Sequence, residues 1–449
     1  MDSNDTIAAI ATAHGIGSIA IVRVSGSNAL PIAEKLSKKR DFKPRFATLA
    51  TLYDSHDEII DEAIIIYFKA PHSFTTEDVV EFQCHGGVVV ANRILNEVLN
   101  LGARLANPGE FSKRAFLGGR IDLTEAEAIA KIIEARSEDA AKILARQLKG
   151  ELKDFVENIR EDLIRILAYT EVNIDYAEED LPEDMIERIE SQLKDIGEKL
   201  EKTVEASRRR AGLLEGFKVS IIGKPNAGKS SLLNALLSYE RAIVSEIAGT
   251  TRDTIEESIK IGTHLARIVD TAGIREAKDE IEKIGIERSI RAIEESDIVI
   301  AMFDGSSKAS SEDMKIIELL EKYEDKKDII AVINKCDLKQ KFDERLIEKF
   351  EPLKISAKKD IKPLVEKMEK ILSTYSSTEE ILLVSSRQIK AVEEASKAVL
   401  DAIEPLSRQE LEIFAYHIND AIKAIASITR PMASSELLDK MFGEFCLGK

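Results

Sequence analysis

Three regimes of apolar spacing divide the chain. Up to about residue 118, short apolar runs alternate with glycine-bearing turns, and Ile19–Val24, Ala63–Phe68 and Val79–Phe82 read as strands. From Asp122 the period becomes helical. Thr124 and Glu127 have capping-box spacing, and Ile129, Ile132, Ile133, Ile143, Leu144, Leu148, Leu152, Phe155, Ile159, Leu163 and Ile166 follow at helical intervals. Pro182 predicts a break. Met185, Ile186, Ile189, Leu193, Ile196 and Leu200 then resume the pattern up to Arg208-Arg209-Arg210. At Gly216 a third regime begins, in which the β-rich runs Lys218–Ile222, Leu265–Val269, Ile298–Phe303 and Ile329–Ile333 alternate with helical stretches, the signature of a parallel sheet covered by helices. Beyond the polar stretch Ser373–Thr378, helical spacing returns at Ile389, Val392, Val399 and Leu400, then at Leu411, Phe414, Ile418, Ile422 and Ile425.

The expected fold class is therefore α/β plus all-α. An N-terminal α/β domain occupies 1–118, a helical domain is split between 119–215 and 375–449, and a P-loop domain with a mostly parallel sheet is inserted at 216–374.

Composition narrows the setting without naming a function. A chain of 449 residues exceeds one hydrophobic core and suggests about three domains. With 44% apolar and 32% charged residues it reads as soluble and globular. No apolar run approaches the roughly 20 residues of a membrane span, and the acidic start Met1-Asp2-Ser3-Asn4-Asp5 is unlike a secretory signal. Cys84, Cys336 and Cys446 lie far apart with no paired spacing, so neither a disulfide framework nor a zinc site is indicated, which favours a reducing cytoplasm. A net charge of −17 argues against nonspecific coating of nucleic acid.

The chemistry sits in the third regime. Gly223-Lys224-Pro225-Asn226-Ala227-Gly228-Lys229-Ser230 fits G-x-x-x-x-G-K-[ST] and lies between a predicted strand and a predicted helix, which begins at Ser231. Backbone amides and a helix N-terminus there cradle phosphate, Lys229 is expected on the β- and γ-phosphates, and Ser230 on magnesium. Asp270-Thr271-Ala272-Gly273 closes an apolar strand, placing Asp270 near the magnesium shell and the Gly273 amide near the γ-phosphate. Asn334-Lys335-Cys336-Asp337 closes another; a carboxylate at Asp337 can accept from the guanine ring N–H and its exocyclic amine, a donor pair adenine lacks. Ser356-Ala357 fits the loop supporting the base. GTP is thus the expected nucleotide and ATP the runner-up. Within Gly249-Thr250-Thr251-Arg252-Asp253, a threonine can complete the magnesium shell. Ile274 stands where many regulatory GTPases carry a water-orienting glutamine, so hydrolysis must draw on another group, with Arg252, Arg275 and Glu282 as candidates.

These strings, with Asn4–Ala9, Glu81-Phe82-Gln83-Cys84-His85-Gly86-Gly87, Pro108–Phe116 and the terminal Phe445-Cys446-Leu447-Gly448-Lys449, resemble the MnmE (TrmE) family of bacterial tRNA-modification GTPases from residue 4 to residue 449. Leu447 departs conservatively from the isoleucine of that family's terminus. The resemblance implies a homodimer working with an FAD-dependent partner (MnmG). Together they add a carboxymethylaminomethyl-type group to carbon 5 of the wobble uridine of certain tRNAs, using a one-carbon unit from 5-formyl- or methylene-tetrahydrofolate. It implies folate contacts at Arg23, Glu81, Arg120 and Lys449, and potassium held by Asn226, Ser245, Ile247 and Thr250 in place of an arginine finger. The loop Ser245-Glu246-Ile247-Ala248-Gly249-Thr250-Thr251 would then touch the nucleotide, Thr251 joining Ser230 on magnesium. Glu282 would position the attacking water, with Lys229 as the second catalytic group.

Several residues keep two readings. Cys446 suits either the modification chemistry or a small buried apolar role. His85 fits a turn better than a metal site, and Arg208-Arg209-Arg210 suits tRNA contact or a solvated helix end. Two other functional classes stay open: a ribosome- or membrane-associated GTPase without one-carbon chemistry, and a GTP-switched scaffold.

Overall fold

A computed structural model describes residues 5–13, 15–175, 183–239, 257–269, 290–376, 380–430, 435–443, 445 and 448. Two compact units emerge from its contacts, Met1–Ile133 with Gln147–Ile196 and Glu394–Lys449, and Glu134–Arg146 with Gly197–Glu393.

In the first unit, strands β1 (Ile7–Ile10), β2 (Ile19–Ser25), β3 (Thr48–Tyr53), β4 (Ile59–Phe68), β5 (Val79–His85) and β6 (Arg104–Leu105) form one sheet in the order β3-β4-β5-β2-β1-β6. Every pairing is antiparallel except β1 with β6. Helices α1 (Ala29–Ser37) and α2 (Val88–Asn100) contribute Ile32, Leu36, Ile94 and Val98 to the core with Val22, Val24, Ile65 and Phe82. The strands expected at Ile19–Val24, Ala63–Phe68 and Val79–Phe82 are present with longer bounds. Strand β1 gave no alternating signal because Ile7, Ala8 and Ala9 are all fully buried.

Helix α3 (Glu110–Leu117) leads to α4 (Leu123–Glu134), α5 (Glu138–Gln147), α6 (Glu151–Asp175) and α7 (Glu183–Arg209). The start of α4 is a capping box set by Asp122 rather than Thr124. The Asp122 carboxylate accepts from the Glu125 amide at 2.9 Å while Glu125 reaches back to the Asp122 amide at 2.8 Å, and Thr124 donates its hydroxyl to that same carboxylate.

The second unit holds α8 (Ala211–Glu215) and a sheet of β7 (Phe217–Ile222), β8 (Glu257–Ile261), β9 (His264–Ile268), β10 (Ile298–Asp304), β11 (Asp328–Asn334) and β12 (Leu353–Lys354), ordered β12-β11-β10-β7-β9-β8. Only the β8–β9 hairpin is antiparallel. The continuously buried run Ile298–Phe303 in β10 is what a central parallel strand requires. Helices α9 (Lys229–Tyr239), α10 (Ser311–Tyr323) and α11 (Lys362–Ser376) cover the faces, and α12 (Ser386–Asp401), α13 (Ile403–Ser407), α14 (Leu411–Ala426) and α15 (Ser435–Gly443) complete the chain.

Helix α5 belongs to this second unit for most of its length. The Glu138 amide donates to the Thr263 carbonyl at 3.2 Å and the Thr263 hydroxyl to Asp139 at 3.0 Å, both at the β8–β9 turn, and Ile143 packs on the same core as Phe217 and Leu213.

Candidate functional site

In an open α/β sheet, ligands bind beyond the carboxyl ends of the strands. Here β7 ends in the loop 223–228, β10 in Asp304 and β11 in Asn334. The loop turns through Asn226 at φ 63 and Gly228 at φ 109; a Cβ at Gly228 would overlap the Asn334 amide nitrogen. The helix predicted from Ser231 starts two residues earlier, with Lys229 and Ser230 opening α9. The Lys229 ammonium donates to the carbonyls of Gly223 at 2.6 Å and Lys224 at 2.9 Å, lying back on the loop that would receive phosphate. Burial pushes its pKa down, an effect partly opposed by Glu312.

Asn334 ties three loops together. Its amide nitrogen donates to the Ala227 carbonyl at 2.8 Å and its amide oxygen accepts from the Ala357 N–H at 2.9 Å, all buried. Lys335, at φ 62, donates to the Asn226 carbonyl at 3.0 Å and to Asp304 at 2.6 Å. Burial works against the charge on Asp304, but Lys335 and Ser306 prevail and hold its carboxyl below the usual range. Asp337 accepts from the Ser356 hydroxyl at 3.1 Å on one oxygen and pairs with Lys359 at 3.1 Å on the other, and these two partners, Lys359 foremost, lower its pKa. The loops 223–230, 334–337 and 356–357 are thus one hydrogen-bonded assembly. Ser245, Glu246, Ile247, Ala248, Gly249, Thr250, Thr251, Arg252, Asp270, Thr271, Ala272, Gly273, Ile274, Arg275 and Glu282 lie outside the described residues.

In the first unit, Arg23 and Glu81 are cross-strand partners on β2 and β5, with Arg23 Nε donating to Glu81 Oε1 at 2.9 Å. The Arg23 guanidinium also lies 5.6 Å from the Phe111 ring centroid, which joins the two sequence motifs that carry Glu81 and Phe111. Arg120 is exposed on the loop after α3. Gly448 packs on the end of β1, where a Cβ would lie 2.6 Å from the Ile10 carbonyl oxygen; β1 is the strand paired with Arg23 through Ala9. Lys449 and Cys446 are outside the described residues.

Glu110 is 5% exposed and accepts from Arg104 at 2.5 and 2.8 Å, from Arg114 at 3.0 Å and from the Asn107 amide at 2.8 Å. Burial opposes its charge, yet these donors pull its pKa down to about 2.

The whole chain matches known sequences. The model for "MnmE helical domain" fits residues 123–446 and that for "GTP-binding protein TrmE N-terminus" fits residues 6–120. A tRNA modification GTPase MnmE from a Nitratiruptor species is 69% identical over 100% of this chain and 99% of its own. One from Aliarcobacter butzleri is 63% identical over 100% of both. The chain belongs to the MnmE family of tRNA modification GTPases. Among solved structures, Era in complex with MgGDPNP and nucleotides 1506–1542 of 16S ribosomal RNA is 29% identical, covering 40% of this chain and 66% of its own, with a TM-score of 0.26.

Against this MnmE frame, several residues went unread in the sequence. Asp304 was visible only as the acidic end of an apolar run, in the same position relative to β10 as Asn334 to β11. Lys224, Asp313 and Lys359 gave no motif signal. Arg208 pairs with Glu393, and Arg210 with Glu380 at 2.9 Å, so two of the three arginines of this basic run are paired within their own unit. Cys84 is buried, its thiol pushed up to about 11 chiefly by desolvation, which makes it a poor nucleophile. His85 ends β5 with Nδ1 2.7 Å from Asp61.

Proposed function

We propose that this MnmE-family GTPase is potassium-stimulated. With an FAD-dependent partner of the MnmG type, it adds a carboxymethylaminomethyl-type group to carbon 5 of the wobble uridine in certain tRNAs, using a tetrahydrofolate one-carbon unit. The observation that carries the one-carbon half is the Arg23–Glu81 pair. It is half-buried, lies against Phe111, and sits on the strand pair to which Gly448 brings the C-terminus. A pterin carries the same ring N–H and amine donors as guanine, so a carboxylate at Glu81 suits it as Asp337 suits the base. Arg120 and Lys449 would complete the folate contacts, and Cys446 would stand beside them.

For the nucleotide, Asn226, Ala227, Gly228, Lys229, Ser230 and Ser231 would hold phosphates, while Asn334, Lys335, Asp337, Ser356 and Ala357 would hold the base. The left-handed turn at Asn226, the helix start at Lys229 and the ordered Asp337 carboxylate support this. Residues 245–251 and Asp270–Gly273 would touch the nucleotide, with Glu282 positioning water. Magnesium would be held by Ser230 with Thr251, and potassium by Asn226 with Ser245, Ile247 and Thr250; these cations would supply positive charge against the phosphates when bound. The reading keeps the folate and dimerisation domain at 1–118, the helical segments at 119–215 and 375–449, and the nucleotide domain at 216–374. Exposed apolar side chains at Ile16, Ile19, Val88 and Val89 support a homodimer. No described helix is long and apolar enough to cross a membrane. The widely spaced cysteines suit a reducing, cytoplasmic setting.

Nucleoside analysis of tRNA from cells lacking this protein tests the proposal. Loss of the C5 substituent at the wobble uridine is expected, and normal modification would overturn the functional reading while leaving the GTPase intact.

A further inference from the structure

The first glycine of the phosphate loop is followed by a lysine whose side chain reaches Asp313 on α10. Lys224 Nζ donates to Asp313 Oδ2 at 2.7 Å and lies 3.3 Å from the Ser307 hydroxyl; its side chain is 13% exposed and that of Asp313 is 0% exposed. Asp313 is the third residue of α10 and the partner of Ser310 in a complete capping box. Its Oδ2 also accepts from the Ser310 amide at 2.8 Å and hydroxyl at 2.7 Å, while Oδ1 is buried with no hydrogen-bond partner among the described residues. Helix α10 is itself fixed to the sheet through Ile317 and Leu320.

The same Lys224 supplies the backbone on which the loop rests. Its carbonyl accepts from Lys229 Nζ at 2.9 Å and from the Ala227 N–H at 3.3 Å. A rigid path therefore runs from the sheet through α10 and Asp313 to the Lys224 side chain, and from the Lys224 carbonyl to Lys229. A buried ion pair contributes little net stability compared with an apolar pair of the same size. What it does supply is a fixed register, because among the described residues the ammonium has one carboxylate to meet and moving off it strands two charges.

We propose that Lys224 is a positioning residue for nucleotide binding: paired with Asp313, it holds the nucleotide-free phosphate loop in its receptive turn and keeps Lys229 on the loop carbonyls until phosphate takes it. The strap acts before the phosphates arrive. Once GTP is bound, the phosphates themselves hold the loop, so loss of the strap weakens binding and spares the chemical step.

The test uses the full chain, a fluorescent GDP analogue, steady-state GTP hydrolysis, and melting with and without GDP. Lys224→Gln and Asp313→Asn are each expected to raise Kd and KM about tenfold, with kcat at saturating GTP within about twofold of the parent. The double variant should bind no more weakly than either single one, because both remove the same contact. Lys224→Arg should retain affinity. Unchanged Kd in both single variants, additive losses in the double variant, or a fall in kcat with KM unmoved would overturn the proposal. So would failure of both single variants to fold while Lys224→Arg binds normally, since the pair would then serve the fold alone.

Discussion

Lys359 holds the Asp337 carboxylate at 3.1 Å, on the oxygen opposite the one that accepts from Ser356. The carboxylate proposed to read guanine is thus already ionised and oriented, and a base competes with the lysine for the second oxygen. The pair is exposed on the lysine side, so it competes only weakly. Lys359→Ala should tighten GDP binding by about twofold to fivefold at low salt, with the gain fading at high salt. Titration of a fluorescent GDP analogue at two ionic strengths measures this. Asp337→Asn exchanges an acceptor for a donor and should shift preference from GTP toward XTP; unchanged GTP affinity in that variant would contradict the base contact.

Asn334→Ala removes two buried hydrogen bonds and leaves the Ala227 carbonyl and the Ala357 N–H without their partner. Each orphaned group costs about 1–3 kcal/mol. The melting temperature should fall even without nucleotide, and GTP affinity should fall further, because both the phosphate loop and the base loop lose their common tie. Asn334→Asp keeps the acceptor for Ala357 and should recover part of the stability.

Gly228→Ala places a Cβ against the Asn334 side chain at a backbone angle that L-residues rarely adopt. Nucleotide binding should be lost by at least about tenfold while circular dichroism stays near that of the parent. Retention of parental affinity would mean that the loop has room the geometry denies.

Glu110 titrates on the acid side. Its folded pKa, near 2, lies below its ordinary value of 4.5, so its contribution is fully present above about pH 4.5 and is lost as pH falls toward 2. That contribution is on the order of 3 kcal/mol. Glu110→Gln should lower the urea midpoint near neutrality, and the gap from the parent should close as the melts are repeated at lower pH. A constant gap across pH would show that shape, rather than charge, makes the difference.

Potassium gives the sharpest reading of the hydrolysis mechanism. GTP turnover in potassium should exceed that in sodium by at least about tenfold, and Asn226→Ala should abolish the difference. Equal rates in both salts would require another source of positive charge.

Much of this architecture was legible in the sequence because periodicity reports burial. The run Ile298–Phe303 is apolar throughout because β10 lies between β7 and β11 with both faces covered, and Gly223–Ser230 is legible because the motif fixes its two glycines, Lys229 and Ser230. What stayed hidden depends on partners distant in sequence. Lys224 and Asp313 stand 89 positions apart, and nothing in either neighbourhood announces the other. Asp122 outcompeted Thr124 as the cap because its carboxylate reaches the Glu125 amide and its own amide meets the Glu125 side chain. Strand β1 stayed hidden for an opposite reason: Ala8 and Ala9 are small, suit helices as readily as strands, and reveal themselves only by the neighbours that bury them.

The docking of α5 at the β8–β9 turn bears on how the nucleotide domain can be prepared alone. Ile143, Ala206 and Leu213 come from sequence before residue 216, yet they pack on the core that includes Phe217 and Ala266. A fragment cut at 216–374 would expose that apolar side to water and invite aggregation, whatever the integrity of its phosphate loop. A soluble fragment needs the segment 197–215 and a substitute for 134–146. Weak nucleotide binding by a shorter piece would then reflect a missing wall of the core rather than a defect of the site.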